Sequence, residues 1–341
     1  MAMVLVTGGA GFIGSHLVDR LLGQGLSVRV LDNLSTGSLR NLQAAADRPP
    51  APSRPAGTSG PRLELMIGDI RDERLVRKAS QHVDCVFHLA ALSAGAGVPS
   101  TPAETHSVNV QGTLNVLQAA TAEGVARVVI GSCASVYGHP ETLPVSEEAA
   151  LAPVSVFGAS KLSAEVYVRA YQHAHHLDTV ILRYFTIYGP RQNGVKNGAM
   201  IPTLIETLRQ RRRPALPGEG RAAHDFLYVD DAVEATLAAA SAPGTAGRAI
   251  NVGSGQLASV IEVLDILKRL LRSDVVPRIQ RGRAEDHAPA RADIALAQRL
   301  LGHVPRTSLA AGLAHAVQFV ADPQEEPWLA EVGPREERAD A

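Results

Sequence analysis

The stretch TGGAGFIG, Thr7 to Gly14, decides how the rest of the chain is read. It follows the apolar run MVLV and leads into Ile13, Leu17, Leu21 and Leu22, whose three- and four-residue spacing predicts a helix with one buried face. Gly8 permits a tight turn, Gly11 lets backbone approach a pyrophosphate, and Gly14 allows the helix to pack closely on the strand. The helix start, expected within Gly11 to Gly14, offers N–H groups and the positive end of the helix dipole to a phosphate. The second apolar run, SVRVLD, ends in Asp32, about 20 residues further on, where a carboxylate can accept hydrogen bonds from ribose hydroxyls and would repel a 2′-phosphate. That favours NAD over NADP. In the purely structural alternative the glycines only close a turn and Asp32 caps the DNLSTG loop; the agreement of context and spacing favours the cofactor.

Four more apolar runs, LELMIGD, CVFHLAA, RVVIGS and TVILRY, alternate with helical segments. That rhythm predicts an α/β fold: a Rossmann-type doubly wound parallel sheet with helices on both faces. Asp69 in GDIRD and Ala90 in HLAA stand at further strand C-termini, where open sheets bind ligands. After Arg183 the alternation breaks down. A helix near 200–212, the loop PALPGEG, a strand in HDFLYV and a helix after Asp230 predict a smaller C-terminal α/β lobe. Residues 1–183 are thus expected to form mainly the nucleotide domain and 184–320 mainly the second lobe. The proline-rich stretch 47–61 reads as a mobile surface insertion, and the acidic stretch 321–341 as a flexible tail.

The chain has 341 residues, with 33 basic and 34 acidic side chains and a net charge of −1, so no global field attracts nucleic acid or an anionic membrane. The basic cluster at Arg209 and Arg211 to Arg213 reads as a solvated helix end. No apolar run approaches the roughly 18 residues of a membrane span. Cys85 and Cys133 show no CxxC or Cys/His pattern, and His173, His175 and His176 form none with nearby carboxylates, so no metal site and no disulfide are expected. With no signal peptide visible at the N-terminus, the expectation is a cytoplasmic protein.

TGGAGFIG, DNLSTG, GDIRD, HLAA, NVQGTLN, SVYG, GASK, RYFTIYGPRQ and HDFLYVDD follow one another in an order that resembles the extended short-chain dehydrogenase/reductase family, over residues 3–315. The look is that of its nucleotide-sugar epimerases, including UDP-galactose and UDP-glucuronate 4-epimerases. The resemblance implies NAD held by Gly8, Gly11, Phe12, Ile13, Gly14, Asp32, Asn33, Ser35, Thr36 and Gly37. It adds Asp69, Ile70, Leu89, Ala90, Ala91, Asn109, Lys161 and Tyr184. It also implies a UDP-sugar as substrate and a homodimer joined through a four-helix bundle of helices around 104–122 and 158–176.

In that family a Ser or Thr after strand five, a Tyr, and a Lys four residues later act together. The Lys and the nicotinamide charge lower the Tyr pKa, and the phenolate takes the sugar hydroxyl proton as hydride passes to NAD. Here the catalytic positions carry Cys133, Phe157 and Lys161, so only the Lys matches. Phe cannot exchange a proton, and the chain is expected to be an inactivated, Tyr-to-Phe form with low or absent turnover. Three accounts stand open: a deliberate substitution, a natural variant in which a Cys133 thiol of lowered pKa is the base, and a relative that binds NAD and a nucleotide sugar without turnover.

Family dehydratases and decarboxylases place carboxylates just after the Ser/Thr, where this chain has Ala134 and Ser135; inversion at C4 needs none and is the economical reading. Thr186 resembles the glucuronate 4-epimerases, and its hydroxyl, with Ser135, suits a C6 carboxylate; Asn193 stands where those enzymes tend to carry an Arg that Arg191 could replace. The expected substrate is UDP-glucuronate, with UDP-glucose or UDP-GlcNAc as alternatives. Arg283 and Asp286 resemble the diphosphate and ribose contacts, Ala290 the position that limits pocket size, and His224 replaces an Arg that usually touches the diphosphate.

Overall fold

The computed structural model describes residues 3–46, 62–93, 101–194, 199–280 and 290–321. The expected insertion at 47–61, almost all of the tail, and Arg283 and Asp286 lie outside the described residues.

Each of the six apolar runs becomes a strand: β1 (Met3–Thr7), β2 (Ser27–Asp32), β3 (Leu63–Ile67), β4 (Cys85–His88), β5 (Arg127–Cys133) and β6 (Thr179–Tyr184). They form one parallel sheet with a seventh strand, β11 (Ala249–Val252), in the order β11-β6-β5-β4-β1-β2-β3. The inner strands are buried on both faces, whereas Leu65 and Ile67 of the edge strand β3 are exposed. The seventh strand comes from beyond Arg183 and pairs with β6. The central sheet therefore draws on both expected parts of the chain, which a four-residue strand set among glycines did not announce.

Between β1 and β4 the strand order reverses direction, the switch point above which ligands of such sheets bind. On one face Leu17, Leu21 and Leu22 of α1 (Phe12–Gly23) pack with the short α2 (Gln43–Ala46) and with the helices Met200–Arg209, Val229–Ala239 and Val260–Leu271. On the other, α3 (Glu73–Ser80), α5 (Gly112–Ala122) and α6 (Val156–His175) bury Val76, Val116, Leu117 and Val168. α5 continues α4 (Pro102–His106) through a π-helical turn at Ser107–Gln111.

Outside the central sheet, β7 (Thr186–Tyr188), β8 (Ala215–Pro217), β9 (Ala223–His224), β10 (Phe226–Tyr228), β12 (Ala258–Ser259) and β13 (Arg278–Gln280) pair as β7 with β10, β8 with β13 and β9 with β12. The buried carboxylate of Asp225 ties them to the 250s turn, accepting from the backbone N–H groups of Ser254, Gly255 and Ala292. The arginine cluster is not simply solvated. Arg209 donates to the Val320 carbonyl, and Arg213 donates to those of Val276 and Pro277. Among the described residues, no helix is long and apolar enough to cross a membrane, and no group of three metal-ligating side chains occurs.

Candidate functional site: a cleft above the switch point

A cleft of about 460 Å³ opens over the C-terminal ends of β1, β2, β4, β5 and β6. One end is the glycine turn. Gly8 has φ +72° and its missing Cβ would sit 2.7 Å from the Ala90 nitrogen, so the turn needs both a left-handed residue and no side chain. A Cβ on Gly14 would collide with the Gly8 carbonyl, which explains how closely α1 approaches the strand. Gly11 stands at the helix N-cap position and brings no capping side chain, so the first-turn N–H groups of α1 face the cleft without an internal partner from that cap. These features fit the pyrophosphate of a dinucleotide.

Asp32 is buried at the end of β2, its Oδ2 accepting from the Ala10 N–H at 2.9 Å and its Oδ1 from the Leu34 N–H at 2.8 Å. It therefore does cap the following loop. A carboxylate offers about four lone-pair directions, so acceptor capacity remains on the face that lines the cleft. Burial pushes its pKa up, against those two N–H bonds. Next to it Asn33 donates to Asp69, whose carboxylate also receives Arg71 through Nε at 2.9 Å and Nη2 at 2.8 Å. The Arg71 hydrogen bonds hold Asp69 down at about 2.

The opposite end is the corner between β5 and α6. Ser155 caps α6 by accepting from the Gly158 N–H, so Phe157 falls in the first turn and Lys161 one turn later, both on the cleft side with Cys133. Lys161 Nζ donates to the Gly131 carbonyl at 2.7 Å, and burial lowers its pKa. Burial raises that of the Cys133 thiol, with Ser135 and Lys161 acting the other way. The protein's own groups therefore do not supply the lowered pKa that the account of Cys133 as a base requires. Desolvation disfavours the thiolate more than the nearby ammonium favours it.

Between the two ends runs a buried hydrogen-bonded chain. Thr113 gives its hydroxyl proton to the Asn109 carbonyl, so it accepts from His88 Nε2–H at 2.9 Å; His88 Nδ1 is left to accept from Thr7 Oγ1 at 2.7 Å. Asn109 clamps Leu92 through both the Leu92 N–H and carbonyl and donates to Ser160, which donates to the Phe157 carbonyl. Asn109 is thus a brace between the loop after β4 and α6, and does not line the cleft; neither does Gly37, which packs on Ala10. The remaining expected cofactor residues do line it, Tyr184 with its ring, since its hydroxyl bonds Thr236 at 2.7 Å.

The expected substrate residues scatter more widely. Thr186 lies between the cleft residues Phe185 and Ile187 without lining the cleft itself. Ser135 sits in the turn after β5, beside Cys133. Arg191, at φ +64°, pairs its guanidinium with Asp19 of α1 at 2.7 Å and does not line the cleft. His224 and Ala290 bridge each other at the second lobe, His224 against the Phe226 ring, and Asn193 follows the β7 loop; none lines the cleft. Sequence reasoning missed Arg71, Glu104, Val108 and Ser132, which do. Glu104 was findable, since TPAE at 101–104 is a capping-box pattern and both of its hydrogen bonds form. The π-turn that brings in Val108 has no such signal.

Residues 4–253 match the family model described as the NAD dependent epimerase/dehydratase family. This chain is a member of that family. NAD is accordingly its cofactor, and the glycine turn and Asp32 fit it. Among curated relatives, the UDP-glucose 4-epimerase of Mycolicibacterium smegmatis is 34% identical over 92% of this chain and 97% of that one. The UDP-glucose 4-epimerase of Thermotoga maritima, solved with UDP-glucose, superposes with a TM-score of 0.84 at 30% identity, covering 93% of this chain and 98% of that one. The UDP-glucuronic acid 4-epimerase of Bacillus cereus, solved with UDP-glucuronic acid and NAD, superposes with a TM-score of 0.83 at 28% identity and the same coverage. The chain is of the UDP-sugar 4-epimerase type.

Proposed function

We propose that this epimerase-family chain inverts C4 of a UDP-sugar, UDP-glucuronate, through a transient 4-keto form, and that Phe157 leaves it with little or no turnover. The observation that carries the reading is the β5–α6 corner, where Cys133, residue 157 and Lys161 meet on one wall of the cleft that begins at the glycine turn. NAD, which the glycine turn and Asp32 would hold, would supply the hydride acceptor and donor that inversion at C4 needs. Lys161 holds a positive charge at the end of β5 through the Gly131 carbonyl. Cys133 offers a small polar contact to the sugar, and Phe157 preserves shape without a proton to give or take. The turn Ala134–Tyr137 carries no carboxylate, which supports inversion over elimination or decarboxylation.

Thr186 and the likeness to the Bacillus cereus enzyme support glucuronate, with Ser135 the other candidate for its carboxylate. The Thermotoga maritima likeness supports UDP-glucose as the second reading. Arg283, Asp286, His224 and Ala290 are proposed for the nucleotide and sugar-pocket contacts. A homodimer through α4–α5 and α6 fits the exposure of Val166 (58%) and Tyr167 (41%) on α6; sedimentation at twice the monomer mass checks it.

The deciding experiment follows C4 inversion by NMR, with UDP-glucuronate and UDP-glucose offered separately to the chain and to Phe157→Tyr, each with NAD. Inversion by the Tyr form alone supports a missing catalyst, and the faster sugar names the substrate. Binding of NAD and sugar without inversion by either form overturns the epimerase reading for these sugars and leaves a binding protein.

A further inference from the structure

Beneath the β5–α6 corner lies an ion pair that the proposed chemistry does not use. Glu165, one turn beyond Lys161 on α6, and Arg183 of β6 are 1% and 0% exposed at their side chains and meet at 2.7 Å, with further bonds from Arg183 Nε at 3.1 and 3.3 Å. Glu165 Oε1 also accepts from the Ser132 hydroxyl at 2.6 Å, and Ser132 lines the cleft beside Cys133. Arg183 continues the network to the edge of the central sheet: it donates to the Tyr137 hydroxyl at 2.8 Å, and Tyr137 donates to Asn251 of β11 at 2.6 Å. Asn251 in turn holds the loop before α6, donating from its side chain to the Val145 carbonyl and from its backbone to Glu147.

Buried ion pairs contribute little net stability, because the cost of desolvating both charges offsets their attraction; apolar replacements of similar volume are often neutral or stabilising. A pair of this kind placed under a reaction site invites a positional explanation. Charge points the same way. The buried corner holds Lys161 and Arg183, Arg169 reaches Glu165 at 3.6 Å from one turn further along α6, and the groups that favour the charged form of Lys161 are the Cys133 thiol and, one turn beyond Lys161, the Glu165 carboxylate. With Phe at 157, no phenolate can serve as a second anion there.

We propose that Glu165, clamped by Arg183, is a positioning residue of the site: it fixes the end of β5 through Ser132 and supplies the counter-charge that keeps Lys161 an ammonium facing the cofactor. The proposal rests on NAD occupying the cleft and is independent of which sugar is turned over. Severing the Ser132 link alone loosens the corner, removing the pair frees it, and removing Glu165 alone leaves Lys161 beside the unpaired cation of Arg183.

The test uses Ser132→Ala, Glu165→Gln and the double variant Glu165→Leu/Arg183→Met. It reads thermal midpoint, NADH binding by fluorescence, and titration of Lys161 by NMR of lysine-labelled protein, with Lys161→Met assigning the resonance. Ser132→Ala is expected to keep its midpoint and weaken NADH about three- to tenfold, the worth of one hydrogen bond. Glu165→Gln is expected to weaken it further and to titrate Lys161 at lower pH than the parent, while the folded double variant, which removes one charge of each sign, is expected to weaken NADH alone. A folded double variant with NADH affinity within twofold overturns the proposal and makes the pair structural. If the double variant does not fold, unchanged NADH binding in Ser132→Ala together with an unmoved Lys161 titration in Glu165→Gln overturns it equally. Failure of the parent chain to bind NADH would instead count against the cofactor reading, while the cofactor-free Lys161 titration still decides the positioning role.

Discussion

The two ends of the cleft are built on the same kind of strand terminus but constrained by different forces. At the glycine turn the constraint is steric and lies in the backbone: Gly8 needs its positive φ and its close approach to Ala90, and Gly14 its contact with the Gly8 carbonyl. At the β5–α6 corner the constraint is hydrogen bonding: Ser155, Ser160 and Glu165 fix the backbone from below, Lys161 and Ser132 add bonds from the cleft side, and the Phe157 ring, with no polar atom, adds none. Changes of letter at the first end cost stability. At the second they change chemistry and leave the fold standing, which is how Cys133 and Phe157 occupy an otherwise ordinary corner.

The largest expected effect sharpens this contrast. Phe157→Tyr adds one hydroxyl to a half-buried ring in the first turn of α6, so urea unfolding should place its stability within about 1 kcal/mol of the parent. Turnover of the UDP-sugar should rise about 10²- to 10⁴-fold, the usual worth of a general acid/base. A large stability loss without a gain in turnover would break the claim that this end is free of folding constraint.

Gly14→Ala probes the other end with the reverse signature. The added methyl must push α1 off the Gly8 carbonyl, costing about 1–3 kcal/mol of stability by overpacking. Because the displacement falls in the turn that would receive the pyrophosphate, NADH affinity should fall on the order of a hundredfold. Calorimetry and fluorescence titration on one preparation check both.

The same contrast explains what could be read from the letters. Glycines forced by backbone geometry, and an aspartate one strand later, identify a dinucleotide turn because few other sequences satisfy it, and β1 to β6 follow from short apolar runs that alternate with helical segments. The strand β11 escaped because four residues carry too little pattern. The Arg191–Asp19 pair was not legible for a related reason: the type of Arg191 suits a carboxylate, but which carboxylate a long side chain meets depends on tertiary packing. The Glu165–Arg183 pair was invisible for the same cause, since its partners are 18 residues apart and joined only by the folded sheet.

Between the two ends lies the chain through Thr7, His88 and Thr113, and its pH dependence tests whether they are joined. Burial, assisted by Lys161, lowers the His88 pKa to about 3 from an ordinary 6.5, so the folded protein keeps it neutral where the unfolded chain takes a proton. Its contribution is complete above pH 6.5 and is lost as pH falls toward 3, at about 1.4 kcal/mol per pH unit. Urea unfolding at pH 7.5 and pH 5 should show this slope in the parent and a shallower one in His88→Asn. Equal slopes would mean that the ring is not held neutral.

The smallest effect belongs to Asp69 at the outer rim. Arg71 holds its carboxyl at about 2 against an ordinary 3.8, so the pair's contribution is present above pH 3.8 and is lost as pH falls toward 2. The side chains of Arg71 and Asp69 are 43% and 24% exposed, and water screens a pair of that kind to less than about 1 kcal/mol. Arg71→Met should therefore lower stability at pH 7 by a few tenths of a kcal/mol, within the range of ordinary surface changes. The variant and the parent should converge below pH 3, where the carboxylate is increasingly protonated in both. A loss above about 2 kcal/mol at pH 7 would show that the rim is as rigidly built as the glycine turn, and the division between a sterically fixed end and chemically free surroundings would have to be redrawn around Asp69.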